Sequence, residues 1–407
     1  MLPTITDLAV KLEAGEITSR ELIERCLERI EDPEGEGGRC FVKVSAGQAR
    51  AAADAVDRGR RVGLVASPYA GIPVSVKDLF DMAGEPTPAG SLALGHAAPA
   101  TRDAPAVARL RAAGMVVVGR TNMTEFAYSG LGVNPHFGTP RNPFDRETGR
   151  IPGGSSSGAA ISVTDGMAAV GLGTDTGGSC RIPAALTGIV GFKPTARRVP
   201  RDGTLPLSPT LDSVGSLATG VADCAIVDAI LSGRPPARPA AFQVRGLRLA
   251  VPQTLVLDGM DDIVAATFGR AVSALARAGA HVVDIALPEL AELPAINVAG
   301  GFAAAEAYAW HRRLMGEKGH LYDPRVKVRI EKGAAQSAAD YIDLCASRRD
   351  FNRRVGLACA PFDALLMPTV PRVAPTLAEV EAEDDYGRLN LLMLRNPSVV
   401  NFLDGCA

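Results

Sequence analysis

Helical and strand-like patterns alternate along this chain, and the alternation limits the possible folds more than any other feature of the sequence. Thr18 and Glu21 form a capping box ahead of an apolar helical face, and residues 71–77 then follow the period of two that is typical of a strand. The apolar run 116–118 indicates a buried parallel strand. Further strands are predicted at 247–251, 281–285 and 364–367, with helices near 261–278 and 337–359. These patterns together predict a layered α/β fold.

Two of the predicted helices carry specific end signals. Asp103 is the predicted N-cap of a helix that Gly114 ends. An Ala-rich helix over 51–58 is predicted to end at Gly59. The segment 233–239, rich in Pro, Arg and Ala, is predicted to be a surface loop, because the segments on either side of it share one α/β pattern.

The composition is that of a globular protein with a sizeable core: of 407 residues, 47% are hydrophobic and 22% are charged. Lys and Arg total 43 against 45 Asp and Glu, so no global basic field exists to attract nucleic acid. The seven cysteines stand singly, without a CxxC pair or a His pair at metal-ligand spacing. The N-terminus lacks a basic start with an apolar run, and no apolar run approaches ~20 residues. We therefore expect reduced thiols, a cytoplasmic location and no membrane span.

Lys77 is the candidate base in this sequence. It closes the predicted strand 71–77 on the face opposite Ile72, Val74 and Val76, and its apolar neighbours predict burial. An ordinary lysine is neutral in about one molecule in 2,500 at pH 7, a handicap of roughly 4.6 kcal/mol for a base. Burial lowers the pKa of an amine by disfavouring its charged form, so a buried strand end is where such a base should lie.

Two Gly/Ser-rich loops supply hydroxyl groups: 153–158 contains Ser155, and 174–179 ends at Ser179. A short helix and a strand are predicted between them. Both loops can therefore return to the same edge of a sheet, where open α/β folds keep their sites.

Two other motifs compete with this interpretation. Residues 154–158 fit the G-x-S-x-G nucleophile elbow, with Ser156 as nucleophile, but that mechanism needs a later acid and histidine. None of the later histidines stands in a catalytic-loop setting: His281, His311 and His320. The pair Gly171 and Gly173 begins a dinucleotide fingerprint that fails at Thr176, where glycine is required.

The segment 71–195 contains GIPVSVKDLFD, IPGGSSSG, GTDTGGSCRIPAA and GIVGFKPT in this order, and it resembles the amidase signature family. Similarity continues at 305–308, 337–341 and 362–369, so it spans most of the chain. The resemblance implies an α/β fold with a large mixed β-sheet core covered by helices on both faces. It also implies a single domain over 1–407, with a catalytic core at about 65–230 and a specificity region at about 240–390.

The resemblance further implies a Ser-cisSer-Lys triad, with Ser179 as nucleophile, Ser155 as bridging serine in a cis peptide and Lys77 as base. It places an oxyanion hole on the backbone N–H groups just before and at the nucleophile: Thr176, Gly177, Gly178 and Ser179. Asp175 and Arg181 flank the nucleophile, and we expect them to form an ion pair that fixes the loop. The stretch that lines the acyl pocket in relatives aligns with Phe126, Tyr128 and Ser129.

The expected function is hydrolysis of a small-molecule amide through an acyl-enzyme, releasing ammonia or an amine. No metal or organic cofactor is implied, and no direct contact with nucleic acid or membrane is expected. A homodimer is one option for the quaternary state, which stays open. Two alternatives also remain: the glutaminase component of a tRNA-dependent amidotransferase, and an inactive, binding-only member. Relatives continue past the equivalent of 401–407 with a strand and a helix, so we expect a shortened C-terminus and a chain that is less stable than a full-length relative.

Overall fold

The computed structural model describes residues 1–407, which form fourteen α-helices and nine β-strands. The strands are β1 Phe41–Val44, β2 Pro73–Lys77, β3 Val116–Thr121, β4 Val170–Asp175, β5 Val190–Phe192, β6 Ser213–Ala218, β7 Arg248–Pro252, β8 His281–Ile285 and β9 Ala364–Leu365. The helices are α1 Ile5–Ala14, α2 Ser19–Glu31, α3 Gly37–Cys40, α4 Ala46–Arg61, α5 Pro105–Ala112, α6 Ser157–Thr164, α7 Arg181–Thr187, α8 Val221–Leu231, α9 Asp262–Arg277, α10 Leu293–Ile296, α11 Gly301–Lys318, α12 Pro324–Glu331, α13 Ala338–Cys359 and α14 Glu383–Phe402.

The strands form two sheets. The larger sheet has the order β1-β3-β2-β4-β6-β5 and is mixed: β2 runs parallel to β3 and β4, whereas β1, β5 and β6 pair in antiparallel fashion. The second sheet, β8-β7-β9, is entirely parallel. The predicted mixed sheet is thus confirmed, but β7 to β9 stand apart from it. A groove of about 590 Å³ separates the β5 and β9 edges, and the last residue, Ala407, exchanges two backbone hydrogen bonds with Lys193 just after β5.

Helices cover both faces of the larger sheet, as expected. Alternate residues of β3 point to opposite sides: Val117 joins the largest buried cluster together with residues of α8, whereas Val116 and Val118 pack with α2 and α4. This alternation follows from the period of two in a strand. Because both faces are covered, β2, β3, β4 and β6 are buried along their whole length, and this includes polar residues such as Ser75 and Arg120.

The predicted helix signals have mixed outcomes. The capping box of Thr18 and Glu21 is present at the start of α2. Asp103, in contrast, is not an N-cap: α5 begins after Ala104, and the Asp103 carboxylate instead accepts from the backbone N–H of Ala83 and from Arg111. The helix expected to end at Gly59 runs on to Arg61 in α4, since one glycine costs a helix only about 1 kcal/mol.

Candidate active site

Lys77 lies at the end of β2 and is fully buried. Its Nζ donates to Ser155 Oγ at 2.8 Å and to Thr174 Oγ1 at 2.9 Å. No carboxylate lies within ion-pair distance of this amine. Burial lowers the pKa of Lys77 to about 8, against the opposite pull of nearby acidic groups. The amine therefore has the environment that the sequence predicted for it.

Ser155 lies in the loop before α6 and is completely enclosed. The Gly154–Ser155 peptide bond is cis. The backbone carbonyl of Ser155 accepts from the N–H of Thr124 at 3.2 Å, which ties this loop to the segment after β3. The hydroxyl is left facing Lys77.

Ser179 follows β4 and is 3% exposed. The N–H of Ser156 donates to the carbonyl of Ser179 at 3.3 Å, so the two serine loops meet through their backbones. The Ser179 hydroxyl makes no hydrogen bond to another protein group, including Ser155, and it is not among the fully enclosed polar atoms. It is therefore open to a ligand.

The expected ion pair between Asp175 and Arg181 is present at 2.9 Å, and both side chains are buried. The Asp175 carboxylate also accepts from the N–H groups of Gly178 and Cys180. Asn401, from α14, donates to Asp175 and accepts from Arg181. Burial alone would raise the pKa of Asp175, but the Arg181 guanidinium holds it well below the usual range. The carboxylate is thus an ionised anchor for the nucleophile loop.

The candidate oxyanion donors fall into two groups. The N–H groups of Thr176, Gly177 and Ser179 donate to no protein acceptor, whereas that of Gly178 is taken by Asp175. Gly178 therefore offers no free donor in this conformation, although the family resemblance implied one there. The free donors are the other three.

Steric crowding explains why glycine occupies the two positions before the nucleophile. A Cβ on Gly178 would lie 2.6 Å from side-chain atoms of Ile182 and Pro397, and its φ of +128° is unfavourable for other residues. A Cβ on Gly177 would lie 3.1 Å from Ser398 Oγ. Helix α14, which carries Pro397 and Ser398, thus presses directly against this loop.

The three predicted substrate-binding residues are mostly enclosed. Phe126 is 0% exposed, and its ring packs against those of Trp310, His311 and Tyr322. The Ser129 hydroxyl donates to Asn390 and accepts from Tyr386. Only Tyr128 is partly exposed. In this structure Phe126 and Ser129 pack and hydrogen-bond inside the protein, and the role of all three in binding stays a prediction.

Sequence analysis missed Thr174, the second partner of Lys77. Its side chain points toward Lys77, whereas that of the next residue, Asp175, points to Arg181. This alternation is the ordinary period of a strand, so the pattern of β4 could have identified Thr174. Asn401 had no such signal, because its contact with Asp175 depends on how α14 packs.

The alternative nucleophile Ser156 lacks a base. Its Oγ donates to the carbonyl of Thr174 at 3.3 Å, and no histidine contacts it. Of the later histidines, His311 is buried and bonded to Tyr322, and burial lowers its pKa to about 3. The geometry therefore gives no support to an elbow mechanism.

A family model named Amidase matches residues 21–404. The chain belongs to the amidase family. It is 39% identical to a 2-amino-5-chloromuconic acid deaminase of Comamonas testosteroni, over 99% of this chain and 87% of that one. It is 36% identical to an amidase of Pseudomonas putida, over 90% of this chain and 79% of that one. A crystal structure of an amidase superposes with a TM-score of 0.87 at 32% identity, covering 99% of this chain and 90% of the other.

The family also includes amidotransferase components. The chain is 37% identical to the glutamyl-tRNA(Gln) amidotransferase A chain of Roseiflexus castenholzii, over 91% of this chain and 82% of that one. This amidase-family protein is accordingly an enzyme, a hydrolase that acts on amide C–N bonds. No group of three His, Cys, Asp or Glu side chains lies close enough together to hold a metal ion. None of its helices combines the length and the apolarity that crossing a membrane requires.

Proposed function

We propose that this enzyme cleaves a carboxamide through an acyl-enzyme on Ser179, with Lys77 acting as base through Ser155. One observation carries the proposal: a fully buried lysine of lowered pKa, free of any carboxylate partner, donates to the hydroxyl of a serine in the adjoining loop. Lysines are seldom fully buried without an ion pair.

Acylation begins with the neutral Lys77. The amine takes the proton of Ser155, and Ser155 takes the proton of Ser179, whose Oγ bonds to the carbonyl carbon of the substrate. The two serine hydroxyls are not hydrogen-bonded to each other here, and catalytic hydrogen bonds commonly tighten only when substrate binds. Collapse of the tetrahedral intermediate breaks the C–N bond. The proton held by Lys77 returns through Ser155 to the leaving nitrogen, which departs as ammonia or an amine.

Deacylation reverses the same proton path. A water molecule gives a proton through Ser155 to Lys77 while its oxygen attacks the ester, and Ser179 recovers its proton as the carboxylic acid leaves. In both steps a negative oxygen develops on the substrate. The free N–H groups of Thr176, Gly177 and Ser179 support an oxyanion hole, in which each donor is worth roughly 3 kcal/mol.

Reaction with a fluorophosphonate, followed by peptide mapping, tests the nucleophile. We expect the label on Ser179, no label in Ser179→Ala, and normal labelling in the control Ser156→Ala. Lys77→Met should label orders of magnitude more slowly. A label on Ser156, or wild-type labelling without Lys77, would reject the proposal.

A second candidate is the glutaminase component of a tRNA-dependent amidotransferase, which the 37% identity to such a protein favours. The two candidates differ in what they need. A free-standing amidase releases ammonia or amine from a panel of simple amides on its own. Glutamine turnover that appears only after the other amidotransferase chains and tRNA are added would support the second candidate instead.

A further inference from the structure

We propose that Asp212 is a positioning residue. Its carboxylate accepts a hydrogen bond from the Thr176 hydroxyl and so holds the Thr176 N–H, the first donor of the oxyanion hole, in place. The proposal rests on the proposed function, because it gives Asp212 a task only if Thr176 binds the oxyanion. No part of the triad includes Asp212, which lies just before β6, the strand paired with β4.

The Asp212 carboxylate is arranged to accept hydrogen bonds. Thr176 Oγ1 donates to its Oδ1 at 2.5 Å, and the N–H groups of Leu207 and Ser208 donate to it at 3.1 Å. No cation pairs with this carboxylate: the nearby Arg201 donates to the backbone carbonyl of Asp212. The Thr176 hydroxyl is thus the one side-chain partner of Asp212.

The loop that carries Asp212 is itself held by Glu306 of α11. The Glu306 carboxylate accepts from the hydroxyls of Ser208 and Thr210, and from the N–H of Thr210. It also accepts from the Tyr341 hydroxyl of α13 at 2.6 Å. Four donors converge on one unpaired carboxylate, so two helices far along the chain fix the position of the 207–212 loop.

An open space borders Asp212 on the side of Thr174. A cavity of about 330 Å³ is lined by Thr174, Asp212, Arg201 and Thr204. Thr174 is hydrogen-bonded to Lys77, and Asp212 is hydrogen-bonded to Thr176. The hydrogen bond from Thr176 to Asp212, whose side chain lines this cavity, restrains the Thr176 segment. An oxyanion donor acts only if it stays in place during the reaction.

The experiment compares Thr176→Val, Asp212→Asn and the double variant by steady-state kinetics. Valine keeps the shape and removes the donor. Asparagine replaces one carboxylate oxygen with an NH2 donor, so its single acceptor oxygen cannot serve all three donors, the Thr176 hydroxyl and the Leu207 and Ser208 N–H groups. We expect kcat to fall roughly 10- to 100-fold in each single variant, less than loss of a whole donor, with KM within about threefold. The double variant should be no slower than the worse single one, because both remove the same contact.

Two further variants separate positioning from general damage. Thr176→Ser keeps the hydroxyl and should recover most of the kcat lost in Thr176→Val. Thr204→Val removes a buried hydroxyl without a partner from the same cavity wall, and its kcat should match the wild type. Additive losses in the double variant, or unchanged kcat in Thr176→Val, would overturn the proposal. If Ser179 in the wild type takes no fluorophosphonate label, the proposed function has failed instead.

Discussion

The charge of one residue, Lys77, sets the rate in the proposed mechanism, because only its neutral form accepts a proton. Burial lowers its pKa to about 8, so about one molecule in ten carries the neutral amine at pH 7. We predict that kcat/KM rises about tenfold per pH unit below pH 7 and levels off above pH 8 to 9. Initial rates between pH 6 and pH 9.5 test this. If kcat/KM kept rising toward pH 10, Lys77 would not be desolvated in solution.

The same burial makes Lys77 costly for stability. The folded chain binds the proton of the Lys77 amine less tightly than the unfolded chain does. The loss of folding stability is therefore at its full value below about pH 8, and it disappears as the pH rises through 10.5. This loss of stability is at most about 3 kcal/mol. A variant without the amine would regain only part of it, because the variant also loses the hydrogen bonds to Ser155 and Thr174. We predict that Lys77→Met is inactive yet raises the free energy of unfolding at pH 7 by about 1–3 kcal/mol.

Urea unfolding of both proteins at pH 7 and pH 9.5 measures this difference. The advantage of the methionine variant should shrink by up to about 2 kcal/mol at the higher pH, where the wild-type amine is already neutral when folded. A variant less stable than the wild type at both pH values would contradict the prediction.

At the scale of single residues, the sequence predicted those properties that depend on neighbouring residues in the chain. Apolar neighbours were enough to predict the burial of Lys77, and with it the direction of its pKa shift. Asp212 could not be found in this way. Its bond to Thr176 joins residues 36 positions apart, and only the folded path of the 201–212 loop brings them together.

At the scale of elements, α14 holds the nucleophile loop through Asn401. The Asn401 amide donates to the carbonyl and carboxylate of Asp175, and its oxygen accepts from Arg181 at 2.6 Å. Loss of this side chain leaves buried charged groups short of partners. We predict that Asn401→Ala lowers the free energy of unfolding by about 2–3 kcal/mol and lowers kcat, as thermal melts and kinetics would show. Asn352→Ala is the control, because that side chain makes no hydrogen bond. Equal effects of the two variants would refute the assigned role.

Helices with strong end signals were predictable, and α14 was not. The capping residues Thr18 and Ser337 both start helices where the sequence indicated. Helix α14 has no side-chain cap and contains Pro397, which normally argues against a helix interior. Its packing on the active-site loop overrides that local preference. The part of the site that depends on α14 was therefore beyond prediction from the sequence.

At the scale of the whole molecule, one exposed segment joins the parts of the chain that carry the two sheets. Residues 233–246, between α8 and β7, contain no regular structure, and Phe242 is 76% exposed. Patterning predicted a surface loop at 233–239, within this segment, but it could not show that β7 to β9 form a separate sheet, since strand order depends on contacts between distant segments. The two parts are held together by other contacts, among them Asn401 with Asp175 and Glu306 with Ser208.

These contacts predict the outcome of limited proteolysis. Chymotrypsin should cut after Phe242, and trypsin after Arg245, whereas Arg234 and Arg238 are protected by the prolines that follow them. The fragments of a chymotryptic nick should elute together on size exclusion and keep most of the amidase activity, because the nucleophile loop and α14 remain in contact. Phe242→Ala should resist the cut at this position. Fragments that separate without denaturant, or an inactive nicked enzyme, would show that the 233–246 segment, rather than the packing of α14 and α11, holds the site together.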